Sequence, residues 1–136
     1  MAMGRWSGGV MALAIFTMAP PALAHHSFAM FDNSRSITLK GKVTSYQWTN
    51  PHGFLELDAA DGQGGIKHYT LELTSINMLA RGGWTSRSVK FGDTVTTIVS
   101  PLRDGQPGGL LLELDFPDGR KLDPGVPNPQ RYTRTP

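Results

Sequence analysis

Residues 54–73 read Phe54-Leu55-Glu56-Leu57-Asp58-Ala59-Ala60, then Asp61-Gly62-Gln63-Gly64-Gly65, then Ile66-Lys67-His68-Tyr69-Thr70-Leu71-Glu72-Leu73. The first run alternates apolar and acidic side chains, the pattern of a strand with one buried face. The middle run is acidic and glycine-rich, a hairpin loop by composition. The third run alternates again, with Tyr69, Leu71 and Leu73 inward and His68, Thr70 and Glu72 outward. Setting Leu57 opposite Tyr69 places Asp58 opposite His68 and Phe54 opposite Glu72. A slip of one residue would turn every side chain to the wrong face, so this register is the one expected.

Upstream, Asn50-Pro51-His52-Gly53 is a turn. Before it lies a long strand over residues 36–48. Ile37, Leu39 and Val43 share its inner face with Lys40 and Lys42 outside, but the next large residues, Tyr46 and Trp48, stand at even positions. Such a parity change requires a bulge or bend, and Gly41 nearby permits one. A long, bent first strand suits a small closed barrel.

Downstream, Thr74 or Ser75 can cap a short helix near residues 75–80 carrying Ile76, Met78 and Leu79. Gly82-Gly83 ends it, and Trp84 follows as a core anchor. Gly92-Asp93 turns the chain into a fourth strand over residues 94–100. Asp104-Gly105 turns it into a fifth, where Leu110, Leu112, Leu114 and Phe116 alternate with Leu111, Glu113 and Asp115. Pro117-Asp118-Gly119 closes that strand. The expectation is an all-β domain with small α content: a five-stranded OB-like closed barrel with one short helix between strands three and four. Another five-stranded barrel or a small sandwich is the alternative.

Residues 1–24 read as a cleaved signal peptide. Arg5 gives the positive start, residues 10–18 an apolar stretch too short to span a bilayer, and Ala22-Leu23-Ala24 the small-x-small cleavage site. Cleavage would leave His25 first and place the protein in the periplasm or outside the cell. Residues 25–35 then form an N-terminal strap in which Phe28, Met30 and Phe31 can dock on the domain, residues 36–122 the barrel, and residues 123–136 a Pro-rich flexible tail. The remaining 112 residues carry 12 Lys and Arg against 11 Asp and Glu. That balance gives no electrostatic case for nucleic acid or an anionic membrane, and no later segment is apolar enough to span one. With no cysteine in the chain, disulfides, thiolate metal sites and cysteine nucleophiles are excluded.

The start Ala24-His25-His26-Ser27-Phe28, the segments Leu39-Lys40-Gly41-Lys42-Val43 and Trp48-Thr49-Asn50-Pro51-His52, and the motifs Arg81-Gly82-Gly83-Trp84 and Pro117-Asp118-Gly119-Arg120 follow one another in a distinctive order. In that order the chain resembles a family of small exported bacterial proteins defined only by a domain of unknown function. The resemblance implies a single periplasmic domain. It brings no activity, so the chemistry rests on the residues themselves.

All four histidines, His25, His26, His52 and His68, follow the expected cleavage site. A first-residue His25 would chelate one metal ion through its α-amine and imidazole together, and a third nitrogen would complete a histidine brace. Such a ligand set is similar to the copper site of lytic polysaccharide monooxygenases and some periplasmic copper carriers, although the rest of the sequence resembles neither. His26 offers a second mode, through the amine, an amide and its own ring. Nitrogen ligands favour Cu(II) in the affinity order. His52, in the loop after strand one, is the best third ligand, and Glu72 should approach the same rim. The candidate metal ligands are therefore His25, His26, His52 and Glu72, with copper the expected ion. One geometric obstacle stands: a straight strand one would hold its start about 40 Å from that loop at roughly 3.3 Å per residue.

His68 beside Asp58 reads as a surface ion pair of little energetic value. Met30 and Met78 could serve Cu(I) but read as core. No phosphate-binding glycine loop, H-E-x-x-H or G-x-S-x-G occurs, and an enzyme is not indicated. The functional classes left open are a periplasmic copper-binding module, a non-enzymatic OB module binding a protein or small ligand on its rim, and, more remotely, a brace-type copper oxidase.

Overall fold

The computed structural model describes residues 28–128. The expected signal peptide, His25, His26 and residues 129–136 lie outside them. Strands β1 (Ile37–Gln47), β2 (Phe54–Ala60), β3 (Ile66–Glu72), β4 (Thr94–Pro101) and β5 (Gly108–Asp115) pair in the order β3-β2-β1-β4-β5, and a parallel pairing of β3 with β5 closes the ring. With helix α1 (Ile76–Arg81) between β3 and β4, this is a five-stranded OB-like closed barrel. A two-residue strand β6 (Lys121–Leu122) extends β5 beyond the Pro117-Asp118-Gly119 turn, where sequence reading had placed only the end of the domain.

The β2–β3 hairpin has the expected register, with Leu57 opposite Tyr69, Asp58 opposite His68 and Phe54 opposite Glu72. Its loop is fixed by Asp61, whose Oδ1 accepts from the Gln63 and Gly65 amides at 2.7 and 2.9 Å. Those two bonds lower the Asp61 pKa below its ordinary value.

The parity change in β1 is a bulge. Its pairing with β2 shifts between Val43 and Ser45, after which Tyr46 faces Leu55. The extra residue brings Tyr46 and Trp48 onto the core, where their rings meet edge to face with centroids 6.3 Å apart. The Tyr46 hydroxyl donates to the Thr85 carbonyl at 3.1 Å, and half-burial pushes its pKa up to about 12. Gly41 has a different task from the one expected of it. It pairs regularly with Ala59 and Val95, and a Cβ built there would overlap the Asp58 carbonyl oxygen. Glycine is needed because β1 and β2 approach too closely at that point for any side chain.

Ser75 caps α1, its hydroxyl accepting from the Met78 amide at 3.4 Å. Only Leu79 of this helix is buried. Gly83, at φ 85°, turns the chain, and Trp84 enters the core with 2% of its surface exposed. The Trp84 indole N–H donates to the Asp123 carbonyl at 2.9 Å. Residues 123–128, inside the stretch expected to be a tail, thus lie against the barrel, with Pro124 and Asn128 buried.

Two corrections concern burial. The four even-numbered residues of β5 were expected on one face. Instead Leu111, Leu114 and Phe116 fill the barrel interior, while Leu110 and Leu112 join Phe31 in a second cluster. The cause is a register shift between Ile98 and Val99 in the β4–β5 pairing, which reverses the sidedness of β5 midway. Of the described strap residues, only Phe31 is buried, and it bridges to Leu102. Phe28, Met30 and Met78 are exposed rather than in the core.

Candidate ligand-binding face

Gly53 prolongs the β2–β3 hairpin by one step. Its carbonyl accepts from the Leu73 amide at 2.9 Å and its amide donates to the Thr74 carbonyl at 3.4 Å. The preceding turn contains a cis peptide before Pro51 and is tied by the Thr49 hydroxyl, which donates to the His52 carbonyl at 3.1 Å. His52 is thereby carried over the end of β3, where its Nδ1 hydrogen-bonds Oε1 of Glu72. The two residues expected to approach one rim are in direct contact.

Glu72 was expected on the solvent face, and its side chain does leave the barrel interior. It is nonetheless only 9% exposed. The parallel ladder sets Glu72 against Leu110 and Thr70 against Gly108, and the β4–β5 loop rises over this corner. The strap is fastened to the same loop. Arg103 donates from its amide to the Met30 carbonyl at 3.0 Å and from Nε to the Ala29 carbonyl at 2.9 Å. The Asp32 amide donates to the Pro101 carbonyl at 2.8 Å.

These elements line a half-open cavity of about 210 Å³ against Glu72. Phe54 and Thr70 form its floor, Leu102, Pro107, Gly108 and Gly109 one wall, and Met30 and Phe31 the other. Gly108 and Gly109 are required for the wall to fit: a Cβ on Gly108 would stand 2.9 Å from the Thr70 carbonyl oxygen, and one on Gly109 3.1 Å from the Pro101 Cα. Sequence reading missed this role for the Gly108-Gly109 pair. The signal was the pair itself at the start of a strand, where close backbone approach is one of the few reasons to keep glycine.

Farther out on the same face, His68 Nδ1 bonds Asp58 at 2.7 Å, as expected, and its Nε2 lies 3.6 Å from Glu56. The imidazole therefore bridges two carboxylates rather than one. A larger apolar cavity of about 430 Å³ lies beside Phe28, Thr74, Met78 and Val126. Two of its walls are the segments where the described chain begins and ends.

Of the four expected metal ligands, His52 and Glu72 come together. His25 and His26 lie outside the described residues. Among the described residues, no group of three His, Asp or Glu side chains is arranged to hold a metal ion.

The barrel, the loop over its β2–β3 face and the cavity between them place the chain in the class of small OB-type domains. A protein-family model described as a family of unknown function, DUF6152, matches residues 13–112, and the chain belongs to that family. No curated protein and no solved structure matches it. No helix of the described residues is long and apolar enough to cross a membrane.

Proposed function

We propose that this chain is an exported, non-enzymatic OB-type binding module that takes a small ligand or a segment of a partner protein on its β2–β3 face. The observation that carries this reading is the cavity between Phe54, Thr70 and the β4–β5 loop. It lies where OB barrels present their ligand surface, on strands two and three between the β1–β2 and β4–β5 loops. A pocket with apolar walls and one well-placed ionisable group is the usual build of a small-ligand site. Nucleic acid does not suit this one. Glu56, Asp58 and Glu72 stand on the face, where single-strand binders present basic and stacking groups.

A screen of the ¹⁵N-labelled protein against small metabolites, short peptides and single-stranded DNA tests this. Binders are expected to shift the amides of Phe54, Thr70, Glu72 and Gly108, and DNA is expected to shift none at physiological salt. Binders that map instead to Lys40, Lys42 and Thr96 would refute the reading, as would tight, salt-dependent binding of DNA.

One observation supports a second reading, in which the N-terminus binds Cu(II). The strap passes beside Glu72, since Met30 and Phe31 line the cavity against it. Phe28 and Thr74 share the neighbouring cavity, and the Thr74 carbonyl accepts from Gly53. Gly53 follows His52 in the chain, so Phe28, the first described residue, lies in the same region of the surface as the His52 turn. One alanine added before His25 keeps every side chain but displaces the amine, so a true brace loses most of its copper affinity. Unchanged binding by that variant excludes the brace.

A further inference from the structure

We infer that the ligand of the β2–β3 face is an organic monocation: a guanidinium or ammonium group carried on an apolar stem. This rests on the binding-module reading and names the chemistry that the cavity selects.

Among the described residues, Glu72 is the one charged side chain lining the cavity. It is nine-tenths buried. Among the described residues its single partner is His52, which engages Oε1, so Oε2 is left with its full accepting capacity. A carboxylate accepts through both oxygens, and a fork of N–H donors fits it well. Because Oε2 opens on the cavity, a ligand there meets a carboxylate oxygen that no protein group among the described residues occupies.

The remaining walls decide what kind of cation completes it. Phe54, Met30, Leu102 and Pro107 are apolar, and Thr70 adds one hydroxyl. Such walls cannot replace the water shell of a hydrated metal ion, but they suit an aliphatic stem with a charged head. The face of an aromatic ring such as Phe54 also attracts a cation. The chain's own candidate cation in the overhanging loop, Arg103, is held on the Ala29 carbonyl of the strap. Glu56 and Asp58 lie farther along the same face and draw positive ligands toward it. The cavity volume of about 210 Å³ admits one such side chain and excludes a folded surface.

The test uses two cationic probes with the full protein at low salt. One is butylguanidine. The other is a blocked alanine pentapeptide with a central arginine, paired with its citrulline counterpart, which keeps the shape and loses the charge. Both cations are expected to shift the Phe54, Thr70 and Gly108 amides, and the citrulline peptide is expected to bind at least tenfold more weakly. Glu72→Gln should weaken both cations about tenfold or more, the loss of a charge-assisted bond. Asp118→Asn, on the turn after β5 and outside the cavity lining, should change them less than threefold. The amide spectrum of each variant verifies its fold. A peptide that binds much more tightly than butylguanidine identifies a basic protein segment as the source; equal affinity identifies a free small cation.

The inference is overturned if citrulline binds as well as arginine, if Glu72→Gln binds unchanged, or if neither cation binds at millimolar concentration. Should an uncharged probe then shift the same amides, the binding face stands and only the cation assignment falls. Cation shifts confined to Glu113 and Asp115 would remove both.

Discussion

Trp84→Ala should destabilise the domain by about 3–5 kcal/mol, the usual cost of emptying an aromatic site in a packed core. In a domain of this size that lowers Tm by roughly 15 °C or more, measurable by thermal or urea unfolding. The reason is that one side chain serves two segments. Its ring is buried in the barrel interior, and its indole N–H holds the Asp123 carbonyl. Trp84→Phe separates these contributions. Most of the packing survives, so its cost should fall to about 1–2 kcal/mol, the indole hydrogen bond plus lost volume. Protease sensitivity near residue 123 should rise in both variants. An alanine variant within about 1 kcal/mol of the wild type would mean that Trp84 does not anchor the core.

The second large effect is expected at Gly41. Gly41→Val should cost about 3 kcal/mol or more, at or beyond the upper end of ordinary overpacking. The obstacle is backbone and cannot rotate away: a Cβ there overlaps the Asp58 carbonyl oxygen and stands 3.0 Å from the Ala59 Cβ. β1 pairs with β2 on one side and β4 on the other at this residue, so relief on one side strains the other. Lys40→Ala, on the exposed face one residue away, should change stability by less than about 0.5 kcal/mol. Comparable losses in the two variants, read from chemical unfolding, would refute the close-approach argument.

The sequence made the hairpin legible because two constraints agreed there. The loop composition between Asp61 and Gly65 fixed where the chain reverses, and alternation on both sides fixed which residues face each other. The bulge in β1 was legible for a related reason: large side chains changed parity between Val43 and Tyr46, and only an extra residue reconciles that with one core. The same logic failed in β5. Leucines occupy positions 110, 111, 112 and 114 there, so parity carried no information, and the register shift opposite Ile98 left no trace. Alternation also assumes that the outside of a barrel is wet. Here the strap and the segment after Asp123 cover part of it, which is why Leu110 and Leu112 are buried outside the ring.

The site was half legible. His52 and Glu72 were placed on one rim because a turn and a strand end must meet there, and they are in contact. The burial of Glu72 was not foreseen, since it depends on a β3–β5 pairing between residues distant in sequence. Nor was the cavity, whose walls come from three separate segments.

The small cluster outside the barrel has a mechanical consequence. Phe31, near the beginning of the described chain, and Val126, near its end, pack on the same patch of Leu110 and Leu112. The domain is therefore latched like a clasp, with the two leads of the described chain, at Phe31 and Val126, held on one side of the ring. Tension applied between the two leads would open the clasp before it loaded the strands. A neighbour that tugged on either lead would then loosen the Met30–Phe31 wall while the barrel kept its shape.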